Sequence, residues 1–137
     1  MPGYSGTPLP KKLGIKAGFR VNLVNLPTDV RAELRDSLAE CKAPKPPGEI
    51  DLSMFFTKSL AELAREFPRL SKLLAPAGML WVSWPKKASG IPTDLTENDV
   101  RDIGLDAGLV DVKVCAVTEV WSGLKFVRRV KDRKSKP

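Results

Sequence analysis

The stretch from Leu74 to Arg129 constrains the fold of this chain more than any other. It contains the most apolar run, M-L-W-V-S-W at 79–84, followed by a helix, a strand at about 110–120 and a returning strand at about 124–130. The apolar run lacks the alternation of a half-exposed strand, which predicts a central strand covered on both faces. The last two strands predict a hairpin with its turn at 121–123 and an antiparallel strand at the edge of the sheet.

The preceding residues also alternate strand and helix patterns. β-Rich residues at about 20–26 predict a first strand, and I-D-L-S-M-F-F-T at 50–57 predicts a second, buried strand. Between them, apolar residues recur at every fourth position and predict a helix over about 29–40, with Thr28 as its N-cap. The proline-rich residues 41–49 exclude helix and central strand, so they predict a connector.

A second helix is predicted between the second strand and the apolar run. It starts at Ser59 or Thr57, which are both N-cap residue types. Pro68 lies within its apolar pattern, so it either kinks the helix or begins a second segment. Pro76 and Gly78 predict the end of this helix.

A third helix is predicted between the apolar run and the hairpin. Asp94 and Glu97 have the spacing of a capping box, and Thr96 is a competing N-cap. Gly108 is the residue type favoured just beyond a helix C-terminus. The order β-α-β-α-β-α-β-β predicts a single three-layer α/β domain, with a mostly parallel sheet of about five strands and right-handed crossovers.

The two ends of the chain are expected to lie outside this core. Residues 1–12 are rich in glycine and proline and predict an extended N-terminal arm without regular structure. Its apolar side chains Tyr4 and Leu9, with Leu13 just beyond the arm, are candidates to pin the arm to the body. Residues 131–137 predict a disordered basic tail.

The net charge of +7 is unevenly placed along the chain. Residues 1–20 carry +4 and residues 125–137 carry +6, whereas the residues between them carry −3. A basic tail can bind phosphates or an acidic surface, and it can also simply keep a solvated end soluble. Phe126 is the one aromatic residue among the C-terminal charges, which disfavours specific RNA recognition by base stacking.

Composition excludes several kinds of site. The chain contains no histidine, which removes the Ser–His and Cys–His nucleophile pairs and the commonest transition-metal ligand, so no metal site is expected. The two cysteines, Cys41 and Cys115, fit a reduced compartment. No apolar run reaches the roughly 18 residues that span a bilayer, and the N-terminus has no hydrophobic signal core. We therefore expect a cytoplasmic protein.

Three segments resemble class I methyltransferases. L-G-I-K-A-G-F-R-V at 13–21 resembles the approach to their first strand. L-L-A-P-A-G-M-L-W-V-S-W at 73–84 resembles their Leu-x-Pro-Gly-Gly-x-Leu-x-Val strand, with Ala77 in place of the first glycine. G-L-V-D-V-K-V-C-A-V at 108–117, followed by W-S-G-L-K-F-V-R-R at 121–129, resembles their final hairpin. The resemblance implies a Rossmann-like fold and S-adenosylmethionine as the cofactor of active members.

The chain as a whole also resembles a small bacterial family of uncharacterised domains. The segments that carry this resemblance are Gly3–Gly14, Trp84–Gly90, Thr93–Asn98 and Val110–Val117. They are spread over nearly the full length. They imply membership of that family but bring no activity with them.

The methyltransferase resemblance fails where the cofactor would be held. Active members have a glycine-rich loop after the first strand and an acidic residue after the second for the ribose hydroxyls, as dinucleotide sites do. Here no glycine lies between Gly18 and Gly48, and Glu40 and Glu49 are only weak substitutes for the ribose acid. Residues 41–49 are too short for the two missing strand units. We therefore expect a truncated sheet without a cofactor, with S-adenosylmethionine binding as the alternative.

Ligands of open α/β sheets bind beyond the carboxyl ends of the strands. The candidate ligand-binding residues at those ends and in the loop that follows are Asn25, Thr57, Lys58, Trp84, Lys86, Lys87, Ser89, Thr93 and Asp94. Their lysines are expected to form a cationic rim for a phosphate or carboxylate. The alternative is that Lys86 and Lys87 are solvated loop residues and that Trp84 belongs to the core. No catalytic residue can be assigned.

Three functions remain open. The first is a non-catalytic methyltransferase-like module that binds a protein partner or another ligand, and we favour it. The second is a binder of a small anionic molecule, or an enzyme, that uses the loop at 84–94. The third is weak, non-specific nucleic-acid binding through the basic tails. A shortened sheet with an exposed first-strand edge also makes a dimer an alternative to a monomer.

Overall fold

The computed structural model describes residues 7–44 and 49–133. In chain order its elements are α1 (Leu9–Leu13), β1 (Val21–Val24), α2 (Thr28–Ala39), β2 (Ile50–Phe56), α3 (Leu60–Lys72), β3 (Leu74–Pro85), α4 (Glu97–Asp106), β4 (Leu109–Ala116) and β5 (Trp121–Arg128). Short 3-10 turns follow β3 at Lys87–Ser89 and β5 at Val130–Asp132. Within the described ranges, none of the helices has the length and apolar character needed to cross a membrane.

The five strands form one mixed sheet in the order β1-β2-β3-β5-β4. β1, β2 and β3 pair in parallel, and β5 is antiparallel to both β3 and β4, so all strands except β5 share one direction. Helices α3 and α4 pack on one face, and α1 and α2 pack on the other. This confirms the predicted three-layer α/β class with a mostly parallel sheet.

The returning strand β5 lies inside the sheet, whereas the sequence predicted it at the edge. Its residues Leu124 and Phe126 are fully buried, but Val112 and Val114 of β4 are 54% and 50% exposed. β5 therefore offers the more apolar surface and occupies the position that is covered on both faces. β4 is left as the edge strand.

The turn between β4 and β5 comes earlier than the predicted residues 121–123. The Thr118 hydroxyl oxygen accepts hydrogen bonds from the backbone N–H groups of Val120 (3.0 Å) and Trp121 (3.2 Å). This local hydrogen bonding closes the turn at 117–120. Trp121 is already the first residue of β5.

β3 begins before the predicted apolar run. The pairing of β2 with β3 shifts register between Ile50 and Leu52, because β3 contains extra residues at that point. Pro76 and Gly78, which predicted the end of the preceding helix, lie in this bulge inside the strand. A Cβ on Gly78 would lie 2.7 Å from the carbonyl oxygen of Ile50, so this close approach requires glycine.

Helix α1 occupies part of the N-terminal arm, for which the sequence predicted no regular structure. The helix is short and ends at Gly14, whose φ of 82° is readily adopted by glycine. Leu9 and Leu13 are buried, which confirms that they pin this segment to the body. The Trp81 indole N–H donates to the Leu13 carbonyl oxygen at 2.9 Å and fixes the helix on the sheet. Tyr4 lies outside the described residues.

The predicted starts of α2 and α3 are close to those observed. Ser59 is the N-cap of α3, as one of the two alternatives predicted. The N-cap of α2 is Pro27, so Thr28 is the first helical residue and not the cap. α3 runs from Leu60 to Lys72 as one helix with Pro68 in its interior, so Pro68 does not begin a separate segment.

The cap of α4 is Thr96 rather than the predicted pair of Asp94 and Glu97. The Thr96 hydroxyl accepts from the Asp99 N–H at 3.2 Å, and the Asp99 carboxylate accepts from the Thr96 N–H at 3.2 Å. These reciprocal bonds form a capping box at the N-terminus of the helix, with the predicted alternative Thr96 as its N-cap. Asp94 instead accepts from the Leu60 N–H at the start of α3, at 2.8 Å.

The starts of β1 and β2 are joined by an ion pair. Asp51 Oδ2 accepts from the backbone N–H and from Nε of Arg20 at 2.8 and 3.0 Å, and Asp51 Oδ1 accepts from Arg20 Nη2 at 3.0 Å. Hydrogen bonding to the Arg20 side chain lowers the pKa of Asp51, against a smaller opposing effect of burial. The folded state therefore stabilises the ionised carboxylate.

Asp51→Asn is expected to lower the free energy of unfolding by about 1 kcal/mol at neutral pH, a modest effect because the pair is partly exposed. The pKa of Asp51 is lower in the folded state, so its contribution is present above the unfolded pKa and is lost as the pH falls through the folded pKa. Urea unfolding should show a difference at pH 7 that shrinks at about pH 3. Asp36→Asn removes an exposed pair with Arg35 and serves as the control. A difference of equal size at both pH values would contradict this assignment.

Candidate functional site

The carboxyl ends of β1 and β2 meet at one edge of the sheet, and Asn25 and Thr57 follow them there. Asn25 adopts a left-handed conformation with φ of 58°, which asparagine tolerates better than most residues. Its side-chain amide donates to the Phe56 carbonyl oxygen at 3.0 Å and to Glu62 Oε2 at 3.5 Å. The turn after β1 is therefore tied to β2 and to the first turn of α3.

Thr57 is buried and completes this hydrogen-bonded group. Its hydroxyl donates to Glu62 Oε1 and accepts from the Ser59 N–H at 3.2 Å. Its backbone N–H donates to the Ser83 carbonyl oxygen at 3.0 Å, which ties the end of β2 to β3. Both carboxylate oxygens of Glu62 are thus engaged, one by Thr57 and one by Asn25. We call Asn25, Thr57 and Glu62 the edge network.

Glu62 is the member of the edge network that sequence reasoning missed. The sequence contains a signal for it, because Ser59 and Glu62 have the Ser-x-x-Glu spacing of a capping box. Half of that box is formed, since Ser59 Oγ accepts from the Glu62 N–H at 3.1 Å. The Glu62 carboxylate turns instead to Thr57 and Asn25.

The loop after β3 uses its predicted site residues to hold itself in place. The Thr93 hydroxyl donates to the Lys58 carbonyl oxygen at 2.7 Å, and Asp94 caps the start of α3. The Ser89 hydroxyl donates to the Lys86 carbonyl oxygen at 2.6 Å within a 3-10 turn. These contacts account for Ser89, Thr93 and Asp94 as residues that shape the loop.

Trp84 belongs to the core and not to the rim of a binding site. It is 5% exposed and lies in the cluster between the sheet and helices α3 and α4. This agrees with the alternative interpretation of that residue. An aromatic wall for a ligand at this position is therefore not formed by Trp84.

The three predicted rim lysines differ in their surroundings. Lys58 and Lys87 are exposed, whereas Lys86 is half-buried. The Lys86 N–H donates to the Val120 carbonyl oxygen at 2.8 Å, which places it beside the turn between β4 and β5. Its positive charge counteracts the effect of burial, which raises the pKa of the Cys115 thiol. Lys86 therefore lies at the end of the sheet where β4 turns into β5.

The two glutamates considered for a ribose contact lie at the wrong edge. Glu40 follows the C-terminus of α2, and its carbonyl oxygen accepts from the Gly18 N–H at 2.8 Å, ahead of β1. Glu49 immediately precedes β2. Both positions are at the amino ends of the strands, opposite the edge network, so neither can substitute for the ribose acid.

A pocket of about 220 Å³ lies at the carboxyl edge, between the first turns of α2 and the turn after β4. It is lined by Asp29, Glu33 and Glu119, together with Thr118 and Val120. Carboxylates repel anions, so the predicted phosphate or carboxylate ligand does not suit this pocket.

A groove of about 480 Å³ lies between α3 and α4 and contains none of the predicted site residues. Pro68 and Ile103 contribute to its lining, and Arg128 is at one end. The Arg128 guanidinium donates to the carbonyl oxygens of Ser71 (3.0 Å) and Leu74 (2.7 Å). β5 therefore ends at the amino edge of the parallel strands.

The residues at the carboxyl edge do not fit S-adenosylmethionine in the way the methyltransferase resemblance implies. A cofactor there requires close backbone approach after β1 and an acid that is free to accept from the ribose. The turn at Asn25 lacks glycine, and the acid that lies at this turn, Glu62, accepts from Asn25 and Thr57. Both carboxylate oxygens of Glu62 are therefore engaged by protein donors at this turn.

Comparison with solved structures shows the same fold in methyltransferases. A magnesium protoporphyrin IX methyltransferase from Synechocystis, solved with bound SAH, is 15% identical over 88% of this chain and 78% of its own, with a TM-score of 0.57. A candidate methyltransferase from Thermoplasma acidophilum is 7% identical over 92% and 76% of the two chains, with a TM-score of 0.55. The fibrillarin pre-rRNA processing protein of Methanococcus jannaschii is 10% identical over 92% and 70%, with a TM-score of 0.54.

These likenesses define a methyltransferase-like α/β fold and confirm that part of the resemblance. No protein-family model matches the chain, and no curated protein matches it in sequence. The resemblance to a small bacterial family of uncharacterised domains therefore stays a prediction. Because one fold supports many chemistries, activity and cofactor must be argued from the site.

Proposed function

We propose that this protein is a non-catalytic binding module built on a methyltransferase-like fold. The observation that carries the proposal is the edge network, in which Asn25, Thr57 and Glu62 hydrogen-bond one another where a cofactor would lie. Displacing these contacts for a ligand would leave the buried Thr57 hydroxyl and the half-buried Glu62 carboxylate without their partners, at a cost of roughly 1–3 kcal/mol each. A cytoplasmic setting is part of the proposal, since Cys41 and Cys115 are free thiols.

S-adenosylhomocysteine is expected to leave the thermal unfolding of this protein unchanged at millimolar concentration. A ligand at about 100 times its dissociation constant adds roughly 2.7 kcal/mol, which raises the melting temperature of a domain of this size by several degrees. Differential scanning calorimetry with and without the ligand measures the shift. An SAH-binding methyltransferase measured in the same buffer is the positive control. A shift of several degrees in this protein would mean that the edge network opens for the cofactor, and would overturn the proposal.

The second candidate function is binding of a small phosphorylated or carboxylated molecule. The observations that favour it are the half-buried position of Lys86 beside the turn between β4 and β5, and the contact between Lys12 and Lys113 on the α1 side of β4. Lys58 and Lys87 are exposed, and the polar side chains of the loop between them are engaged within the protein. Anion binding is therefore better placed on the α1 side of β4 than on the rim predicted from the sequence.

The binding module proposed first can also be one that binds a protein partner, including a second copy of this chain. β1, which the sequence predicted as an exposed edge, is partly covered by the connector. The Val21 N–H donates to the Lys42 carbonyl oxygen at 2.9 Å, and the Lys42 N–H donates to the Phe19 carbonyl oxygen at 2.8 Å. These bonds occupy the start of the β1 edge and make dimerisation through it less favourable.

A further inference from the structure

Two lysines face each other across strands β4 and β5. Lys113 is the register partner of Lys125, and both side chains lie on the face of the sheet that α1 and α2 cover. Like charges at directly opposed positions of an antiparallel pair destabilise the sheet. Lys125 is half-buried, so its stem is held and its charge is only partly solvated.

Helix α1 brings a third lysine to the same place. Lys12 is 9% exposed, and its Nζ donates to the Ala116 carbonyl oxygen at 3.1 Å. Lys113 Nζ donates in turn to the Lys12 carbonyl oxygen at 3.2 Å. The end of α1 is therefore fastened to β4 by two lysine side chains, and both ammonium groups are held in fixed positions.

Lys86 lies beside the turn between β4 and β5, where its backbone N–H donates to the Val120 carbonyl oxygen at 2.8 Å. The charges of Lys12, Lys113 and Lys86 all act on the Cys115 thiol and oppose the rise in its pKa that burial causes. Burial, and secondarily the charge of Lys113, lowers the pKa of Lys125. The geometry itself brings three lysines together, because Lys113 hydrogen-bonds the end of α1 at Lys12 and is the register partner of Lys125.

No carboxylate balances the charges of Lys113 and Lys125 within the described part of the chain. None of the ion pairs formed there involves either lysine. The ranges that complete the chain, 1–6, 45–48 and 134–137, contain no aspartate or glutamate. Lys113 is exposed, but Lys125 is half-buried, and a partly desolvated charge without an ion-pair partner costs stability unless an anion joins it.

We propose that three residues, the lysine cluster of Lys12, Lys113 and Lys125, bind the phosphate group of a small phosphorylated molecule. Lysine ammonium groups bind phosphate as compact point charges through charge-assisted hydrogen bonds. The site lies on the α1 side of β4 and β5, away from the edge network, so it does not depend on whether the domain binds S-adenosylmethionine.

A small molecule suits the lysine cluster better than a single-stranded nucleic acid. Proteins that bind single strands without sequence preference stack the bases on accessible aromatic rings. Of the described aromatic residues on this face, Trp81, Phe56 and Trp121 are 1%, 1% and 8% exposed, and the partly buried Phe19 precedes β1 at the other side of the sheet. Phe126 packs on the opposite face. The cluster therefore offers charge without a stacking surface.

The test is isothermal titration of the full chain with tripolyphosphate at about physiological salt. K113Q/K125Q is expected to bind at least about tenfold more weakly than the natural protein, the loss expected for one charge-assisted hydrogen bond or more. K58Q/K87Q removes the same net charge from exposed positions at the carboxyl edge and is the matched control, with a change within about twofold. Equal losses in both variants would mean general electrostatic attraction. A loss confined to K58Q/K87Q would place the anion at the rim. Either result overturns the proposal.

A second measurement does not depend on the folding of a variant. Acetylation of individual lysines of the natural protein, followed by mass spectrometry, should be slowed by tripolyphosphate at Lys113 and Lys125 and not at Lys58 and Lys87. Protection that is the same at all four lysines would overturn the proposal. A single-stranded RNA that binds more tightly than tripolyphosphate, and loses its affinity in K131Q/R133Q but not in K113Q/K125Q, would place anion recognition in the basic tail and overturn it as well.

Discussion

Gly104→Ala is expected to destabilise the domain by about 3 kcal/mol, although alanine forms helix better than glycine by about 1 kcal/mol. Gly104 lies inside α4, and a Cβ there would come within 2.0 Å of Cε1 of Phe126. Phe126 is fully buried and packs edge-on against Phe67, with ring centroids 5.1 Å apart. The ring therefore has no free space to move into, and the added methyl group would force α4 away from the sheet. Urea unfolding measures the loss.

Two further variants separate overpacking from a general effect on α4. Asp102→Ala introduces alanine at an exposed position of the same helix and should leave stability unchanged or slightly raised. Phe126→Leu removes part of the ring that the methyl group added by Gly104→Ala would clash with. The double variant should therefore lose less free energy of unfolding than the sum of the losses of the two single variants. A Gly104→Ala protein as stable as the natural one would show that α4 does not pack on β5 this closely.

Trp81→Leu is expected to cost about 3 kcal/mol, because it opens a cavity and leaves the buried Leu13 carbonyl oxygen without its donor. Trp81 is 1% exposed in the centre of the sheet, and its indole N–H is the hydrogen bond that holds the end of α1. Loss of this bond should release α1 ahead of global unfolding. Hydrogen exchange of the α1 amides, measured together with urea unfolding, reports both effects.

Trp84→Leu is the matched control for this prediction. Trp84 lies three residues along the same strand but points into the core under α3 and α4, on the face opposite α1. Its replacement should lower global stability by a comparable amount without selectively speeding exchange in α1. Equal acceleration of α1 exchange in both variants would contradict a local role for Trp81 in docking α1.

The order of strands and helices could be predicted because each element has a pattern of apolar and capping residues within its own short segment. The run at 79–84 is apolar at nearly every position, which suits only a strand covered on both faces. The repeat of apolar residues along α2 and α3 gives each helix one buried stripe. Ser59 was predictable as a cap because its hydroxyl acts on an N–H three residues away.

The position of β5 could not be predicted in the same way. A hairpin predicted from sequence allows either β4 or β5 to be the edge strand. Which of them lies inside depends on which strand the helices cover on both faces of the sheet. β5 pairs with β3 over seven residues, from Met79–Val127 to Pro85–Trp121, and so enters the interior of the sheet. Only the assembled sheet shows which of the two strands has the more apolar surroundings.

The candidate site shows the same division more sharply. Asn25 and Thr57 were predictable as residues at strand ends, since carboxyl ends of parallel strands share an edge. Glu62 hydrogen-bonds Asn25 and Thr57 instead of completing the capping box. This choice depends on the distance between β1 and α3, which no local pattern encodes. The lysine cluster could not be predicted for a similar reason. Lys12 comes about a hundred residues before Lys113 and Lys125 in the sequence, and only the fold brings it to them.

By itself the sequence determined the α/β class, the sequence order of the elements and the absence of histidine chemistry. These properties follow from hydrophobic period, capping and composition, which act over a few residues. The tertiary structure alone decided that β5 lies inside the sheet, that Asn25 and Thr57 both donate to Glu62, and that Lys12, Lys113 and Lys125 share one face. Those outcomes depend on long-range packing, because they require segments up to about a hundred residues apart to meet, as Lys12 and Lys113 do.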